Sequence, residues 1–145
     1  MKNIKIYENF LEELNTNRKC KMLAKFICDF INNIDSKSNC KIEKLYSGSY
    51  MVNNENDIQI NVKKIIIPDE FGPDDYEVEI LFYKFSEPNI ISKFIYNQIS
   101  KIADFSNIPP TSTGIKNNID VIKKSLTKDE YEKYLLELDT EKYNL

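Results

Sequence analysis

Apolar residues recur at helical spacing through the first 34 residues. The strongest stretch predicts an amphipathic helix over 18–34, with apolar side chains every three or four positions: Met22, Leu23, Phe26, Ile27, Phe30, Ile31 and Ile34. A shorter stripe precedes it: Ile6, Tyr7, Phe10, Leu11 and Leu14. Residues 15–17 separate the stripes with short polar side chains, which compete for backbone hydrogen bonds. We therefore predict two N-terminal helices.

The middle of the chain changes to the period-two alternation of strands. Residues 41–52 are rich in Tyr, Leu, Ile and Val, and after an Asn-rich turn Ile58, Ile60 and Val62 alternate with polar residues. At residues 64–67 the alternation of apolar and polar positions is interrupted, because three isoleucines follow one another. This predicts a bulge or a fully buried strand end.

A second alternating strand follows a loop over residues 68–73. Its apolar positions are Tyr76, Val78, Ile80 and Phe82. Three consecutive strands with short connections predict an antiparallel meander.

The rest of the chain has helical spacing again. Ser86 is a suitable N-cap for a helix that is predicted to end near Asp104. A proline-containing loop over 107–114 follows, then a short helix. Thr127 and Glu130 form the capping-box pattern before a final helix.

The predicted fold is α+β in a single domain, residues 1–145. It has N-terminal helices in 1–34, a three-stranded antiparallel β-meander in 41–85, and C-terminal helices in 87–142 packed on one face of the sheet.

Composition narrows the function classes. The chain has no His, so it contains neither a Ser-His-Asp triad nor a Cys-His dyad nor a His-ligated zinc site. This shifts the expectation away from an enzyme, and no cofactor or metal site is expected. The net charge is −3 and the only arginine is Arg18.

The compartment is expected to be the cytoplasm. The chain has no apolar run near the roughly 20 residues needed to cross a bilayer, and its start does not resemble a signal peptide. Cys20, Cys28 and Cys40 are odd in number and lack C-x-x-C spacing, so we expect buried or indifferent thiols. Reactivity at Cys20 would need Lys19 or Lys21 to lower its pKa.

The densest charge feature is an acidic segment with interleaved aromatic residues. Its candidate partner-binding residues are Asp69, Glu70, Phe71, Asp74, Asp75, Tyr76, Glu77 and Glu79. Carboxylates there would steer association with a basic protein partner, and the two rings would supply contact area. The alternatives are a cation site built from carboxylates and a solvated hairpin loop.

Two short segments carry a pattern typical of catalysis. Residues 46–49 read Tyr-Ser-Gly-Ser, and residues 57–60 read Asp-Ile-Gln-Ile. With the preceding amphipathic helix, they resemble the nucleotidyltransferase superfamily. There, a Gly-Ser pair after the first strand holds the nucleotide phosphates, and an acidic pair on the next strand binds Mg²⁺.

That resemblance implies that Gly48 and Ser49 hold phosphate and that Asp57 binds metal, with Glu77 or Glu79 as the third carboxylate. The family's second metal carboxylate is replaced by an amide, Gln59. The resemblance therefore implies a degenerate, inactive domain that binds a nucleotide with Mg²⁺. The alternative is a hairpin in which Gly48 marks a bulge and Asp57 flanks a turn.

Two further surfaces are candidates for binding. Lysines cluster at Lys19, Lys21 and Lys25, at Lys63 and Lys64, and at Lys123, Lys124 and Lys128, but the negative net charge and the scarcity of Arg disfavour nucleic-acid binding. The final helix carries Tyr131, Tyr134 and Tyr143, which either join two copies of the chain or pack on the domain.

The leading hypothesis is a small, acidic, non-enzymatic inhibitor or adaptor of a macromolecular partner. Its Lys-, Ile- and Asn-rich composition is typical of an AT-rich bacterial or phage genome. In general character it is similar to bacterial toxin-immunity proteins and phage-encoded antagonists of host defence. The alternative is the degenerate nucleotidyltransferase-like domain.

Overall fold

The computed structural model describes residues 2–46, 48–54, 57–72, 74–83, 87–102, 104–105, 111–115 and 119–143, with the backbone only at 2–9, 104–105, 111–115 and 142–143. The helices are α1 (Lys2–Ile34), α2 (Ile90–Ser100), α3 (Ile119–Ser125) and α4 (Lys128–Tyr143). The strands are β1 (Lys41–Tyr46), β2 (Ser49–Asn53), β3 (Gln59–Ile67), β4 (Asp75–Phe82), β5 (Asp104–Phe105) and β6 (Thr111–Ile115). The fold is α+β: a long N-terminal helix packs on an antiparallel meander, and helices follow.

The N-terminal region is one continuous helix, so the predicted break at residues 15–17 is wrong. The Thr16 hydroxyl donates to the Glu12 carbonyl four residues earlier, at 2.9 Å, which satisfies this polar group within the helix. Asn17 lies against Gly48 at the edge of the sheet. Thr16 is therefore satisfied within the helix, and Asn17 takes part in a helix–sheet contact that local sequence could not reveal.

Within the described residues the sheet has six strands rather than the predicted three. Its order is β1-β2-β3-β4-β6-β5, and each neighbouring pair is antiparallel. Residues 41–52 were predicted as one β segment, but β1 and β2 form a hairpin within it. Gly48 supports that turn because its φ of 78° lies in the left-handed region that glycine adopts without strain. The β1–β2 register shifts between Lys44 and Tyr46.

Neither a bulge nor a buried end occurs at residues 64–67. The β3–β4 pairing runs without a shift from Ile60 to Ile67. The side chains of Ile66 and Ile67 are exposed, because this end of β3 extends past the body of the sheet. The consecutive isoleucines therefore belong to a strand end that projects beyond the neighbouring strand β2.

The core lies between the helices and one face of the sheet. Strand residues of even number face it, and they include Val52, Ile60, Val62, Val78, Ile80 and Phe82. Phe94 of α2 is 1% exposed and contacts Phe30 of α1 with ring centroids 5.8 Å apart. Tyr96 packs edge-on against Phe82, which places α2 on the same sheet face as α1.

The predicted C-terminal elements differ at their ends. The N-cap of α2 is Asn89, whose Oδ1 accepts from the Ile91 N–H at 2.7 Å, and Ser86 lies outside the described residues. Residues 111–114 of the predicted loop form β6 together with Ile115, which was predicted to begin the following helix. The cap of α4 is confirmed, because Thr127 Oγ1 accepts from the Glu130 N–H at 3.2 Å.

A polar clamp joins α1 to the start of the sheet. Asn32 accepts the Cys40 N–H at 2.7 Å and donates to the Cys40 carbonyl at 3.0 Å. The Cys28 thiol also donates to that carbonyl, at 3.2 Å. One amide side chain therefore satisfies both backbone groups of the buried residue just before β1.

Candidate functional site

The β3–β4 hairpin projects beyond the strands beside it. The last β2–β3 pair is Ser49 with Lys63, whereas β3 and β4 continue to pair as far as Ile67 and Asp75. We call residues 65–77, which comprise this two-stranded extension and its loop, the acidic arm. The predicted loop over 68–73 joins the strands as far as Gly72, and Pro73 lies outside the described residues.

The acidic arm concentrates negative charge. Residues 65–77 contain five carboxylates, of Asp69, Glu70, Asp74, Asp75 and Glu77, and no Lys or Arg. Because the whole chain carries −3, the other residues together carry +2. The negative charge is thus a property of the arm, and it produces a local field that attracts cations and basic surfaces.

Phe71 stands at the tip of the arm with 94% of its surface exposed. Its N–H donates to Asp69 Oδ1 at 3.0 Å, which fixes the backbone of the turn. Farther down the arm, Asp75 Oδ1 accepts from the Tyr76 N–H at 3.0 Å. Two of the carboxylates therefore stabilise the backbone of the arm, and one of them, Asp69, does so at the exposed ring.

The base of the arm meets the N-terminal half of α1. Lys64 Nζ is ion-paired with Glu13 Oε1 at 2.5 Å and lies 5.8 Å from the centre of the Tyr76 ring. Burial raises the pKa of the Tyr76 hydroxyl, and the negative charges of Glu13, Asp74 and Glu12 raise it further. The Lys64–Glu13 contact, which the sequence did not suggest, secures α1 to the arm.

The structure brings together most of the predicted partner-binding residues. Asp69, Glu70, Phe71, Asp74, Asp75, Tyr76 and Glu77 all belong to the acidic arm. Glu79 lies one step inside the sheet, opposite Lys63 and half-buried. It is thus separated from the tip.

The residues of the nucleotidyltransferase-like pattern are not brought together. Gly48 directly precedes β2, whereas Asp57 comes four positions after its last residue, Asn53, and just before β3, so the two lie at opposite ends of β2. The five residues of β2 extend about 13 Å from first to last. Ser49 is 1% exposed and accepts a hydrogen bond from Asn61 Nδ2 at 3.1 Å.

Gly48 and Asp57 each have a structural role in a turn. A carbon at the Cβ position of Gly48 would lie 2.5 Å from Asn17 Oδ1, so the glycine backbone is packed against α1 and is not open to a phosphate. Asp57 is exposed, and its N–H donates to Asn54 Oδ1 at 3.0 Å. This arrangement favours the hairpin interpretation of the motif.

Across the residues that the structure describes, no group of three or more Cys, Asp or Glu side chains is placed to hold a metal ion. The three thiols are buried and free. Burial raises the pKa of Cys20 to about 12, and the nearby charge of Lys64 only partly offsets it. The condition for a reactive Cys20 is not met, because Lys19 and Lys21 are exposed to solvent while the thiol is buried in the core.

The tyrosines of the last helix pack inward where their side chains are described. Tyr131 and Tyr134 contact the Phe94 ring at centroid distances of 5.2 Å and 5.4 Å. Tyr143 is the last residue of α4, and its side chain lies outside the described residues. Tyr131 is 9% exposed, so this ring serves the core.

Comparison with known protein families, with characterised proteins and with solved structures finds no match to this chain. No helix in the described part of the chain combines the length and apolar character that a membrane span requires. The geometry of the acidic arm is therefore the basis on which function is argued.

Proposed function

We propose that this chain is a small, non-enzymatic binding protein that uses the acidic arm to occupy a basic surface of a protein partner, as an inhibitor or an adaptor. The proposal is supported by the separation of charge, since the arm carries −5 and the rest of the chain +2. It is also supported by shape, because a projecting hairpin can enter a groove that a flat surface cannot.

The exposed Phe71 ring carries the proposal. Phe71 stands at the tip of a projecting acidic hairpin with 94% of its surface exposed, where a partner can reach the whole ring. At an interface the same ring would bury its surface in a pocket, and aromatic anchors surrounded by polar residues are typical of binding hot spots. The carboxylates around it would supply orientation and a fast encounter.

The proposed mechanism is steric blockade. Carboxylates of the arm draw the protein to a basic groove, Phe71 anchors the tip, and the body of the domain then covers the entrance. Because long-range attraction acts mainly on the association rate, the encounter slows with added salt, whereas the anchored ring controls dissociation.

The test uses a charge reversal that spares the turn. Glu70 and Asp74 are changed to Lys together, because oxygens of Asp69 and Asp75 accept backbone hydrogen bonds and must be kept. The matched control reverses two exposed carboxylates of α4, Glu132→Lys with Asp139→Lys. Both double variants change the net charge equally, so they separate the position of the charge from its total.

Immobilised wild-type protein and both variants are incubated with source-cell lysate, and the retained proteins are identified at low and high salt. We expect one basic protein to be retained stoichiometrically by the wild type and by the α4 control, and to be lost from the arm variant. With that protein purified, the arm variant should associate at least about tenfold more slowly and with a weaker salt dependence. Equal binding by all three proteins, or retention of nucleic acid instead of protein, would contradict the proposal.

A further inference from the structure

The described sheet has four open strand edges, and only one lacks protection. The β4 edge of the acidic arm, which the described β6 does not reach, carries the charged residues Asp75 and Glu77. Edge strand β1 carries charged side chains at Lys41, Glu43 and Lys44, and edge strand β5 is only two residues long. Charges and shortness are the usual means of preventing a strand edge from pairing with another chain. The β3 edge of the acidic arm instead presents three isoleucines in a row, Ile65 to Ile67.

The hydrogen-bond pattern shows which backbone groups face that edge. The Lys64 N–H donates to the Gly48 carbonyl at 2.7 Å, so the backbone groups of Lys64 point toward β2. Backbone groups of alternate strand residues point the same way, so the N–H and C=O of Ile66 also point to the β2 side. There, β2 has already ended, because its last pair with β3 is Ser49 with Lys63. Ile66 thus offers one donor and one acceptor beyond the end of β2.

Helix α1 contacts the sheet at the base of the arm. Asn17 of α1 lies at Gly48, and Glu13, one turn earlier, is ion-paired with Lys64 of β3. Ile66 remains 53% exposed.

We propose that an extended basic segment of the partner pairs with Ile66 as an added strand and continues the line of β2 along the arm. This inference rests on the proposed function and specifies how the arm is used. Main-chain hydrogen bonds to Ile66 would give affinity, and the alternating side chains of the segment would give specificity. The segment is basic because the arm beside it carries five carboxylates and no cation.

A second copy of this chain is the competing occupant, and charge disfavours it. Two arms paired along their β3 edges would bring together two regions of −5 each. Like charges at close range weaken an interface and act against wrong partners. A basic segment instead brings opposite charges together, so the electrostatic contribution to binding becomes favourable.

The probe is a capped hexapeptide in which Arg and Val alternate, added at low salt to the ¹⁵N-labelled full chain. Amide exchange at Ile66 is followed by NMR. We expect saturating peptide to slow this exchange about tenfold or more, because a paired amide exchanges only when the pairing opens. The same peptide N-methylated on its Val residues cannot donate from those positions and should lose the effect.

Two variants separate backbone pairing from side-chain contact. In Ile66→Pro the N–H that faces the open edge is removed, and pairing with β4 is kept because the flanking residues carry those bonds. Ile66→Ala shortens the side chain and keeps the N–H. We expect Ile66→Pro to bind the peptide about tenfold more weakly than Ile66→Ala, the effect of one backbone hydrogen bond.

The outcomes distinguish this inference from the proposed function. If the backbone amide resonances of Asp69, Glu70 and Asp74 shift with the peptide but Ile66 is not protected and the two variants bind equally, strand addition is overturned and electrostatic docking stands. If neither the arm nor Ile66 responds, both are overturned. If Ile66 is protected without peptide and the chain sediments as a dimer, the occupant is a second copy and the inference is wrong.

Discussion

Replacement of Gly48 by alanine tests how the sheet is joined to α1. The residue has a φ of 78°, and an added Cβ would lie 2.5 Å from Asn17 Oδ1 and 3.2 Å from the Cβ of Lys64. Two separate penalties therefore apply to Gly48→Ala: a left-handed backbone for a residue with a side chain, and a close contact with the helix.

The expected loss in the free energy of unfolding is the sum of these two contributions. An L-residue in the left-handed region costs about 1–2 kcal/mol. The contact with Asn17 should add about 1–2 kcal/mol, within the range for overpacked sites. A chain of 145 residues has an unfolding entropy of about 0.3 kcal/mol/K, so the total should lower Tm by about 7–13 °C.

Urea denaturation followed by circular dichroism measures the loss in the free energy of unfolding. Asn17→Ala and the double variant complete a mutant cycle, in which removal of the Asn17 side chain relieves the contact but not the backbone strain. We expect a favourable coupling of about 1–2 kcal/mol between the substitutions, with a similar cost remaining in the double variant.

Two results would refute this reasoning. A loss below about 0.5 kcal/mol for Gly48→Ala would mean that the turn adapts without strain. A loss of the expected size with no coupling to Asn17 would mean that the helix does not restrict the turn. Unchanged m-values are required for either conclusion, since a changed m-value indicates a changed native or denatured state.

Four further outcomes are expected. Phe94→Ala should reduce the free energy of unfolding by about 3–5 kcal/mol in urea titrations, because the ring is buried between α1 and α4; a loss below about 1 kcal/mol would contradict this packing. Thr127→Ala should cost about 1 kcal/mol through loss of the α4 cap, whereas Thr127→Ser should cost much less, and equal losses would argue against capping. Burial raises the pKa of both Cys20 and Cys40 from 9.0 to about 12, so above pH 9 the unfolded chain binds fewer protons than the folded one and stability falls with pH. Urea midpoints measured from about pH 8 to about pH 10.5 should therefore decrease, more steeply than in Cys20→Ala. Millimolar ATP with Mg²⁺ should leave Tm unchanged, because Gly48 and Asp57 lie at opposite ends of β2, and a rise abolished by Asp57→Ala would restore the nucleotide interpretation.

Periodicity predicted the elements whose burial is continuous along one face. The stripe that includes Ile27 and Ile31 is buried as expected, and so are Val78 and Ile80 of β4. These elements were predictable because a single neighbouring layer covers each of them. The cap at Thr127 was also predictable, since it depends only on residues within one turn.

Errors arose where distant contacts decide local structure. Thr16 and Asn17 suggested a helix end, yet their side chains are accommodated by α1 itself and by its contact with Gly48. The strands beyond the meander could not be foreseen, because β6 carries few apolar residues and obtains its place by pairing with β4. Tertiary context overrides weak local preference in both cases.

The composition of the candidate site could be predicted from the sequence, whereas its shape could not. Its charge and its aromatic residues were evident, but the projection of the arm was not, because strand length relative to neighbouring strands is a property of the whole sheet. The sequence pattern therefore predicted a bulge or a buried strand end at Ile66, and its open backbone groups became apparent only from the register of β3.

The clamp between Asn32 and Cys40 has a consequence for the order of folding. The two residues are only eight positions apart, and the Asn32 side chain bonds both the N–H and the C=O of Cys40. Loops of about this length close within roughly 10–100 ns, far faster than strands find distant partners. The chain can therefore set the start of β1 against α1 before the sheet exists. We expect Asn32→Ala to slow folding more than it speeds unfolding, with the β1–β2 hairpin extending from that early contact.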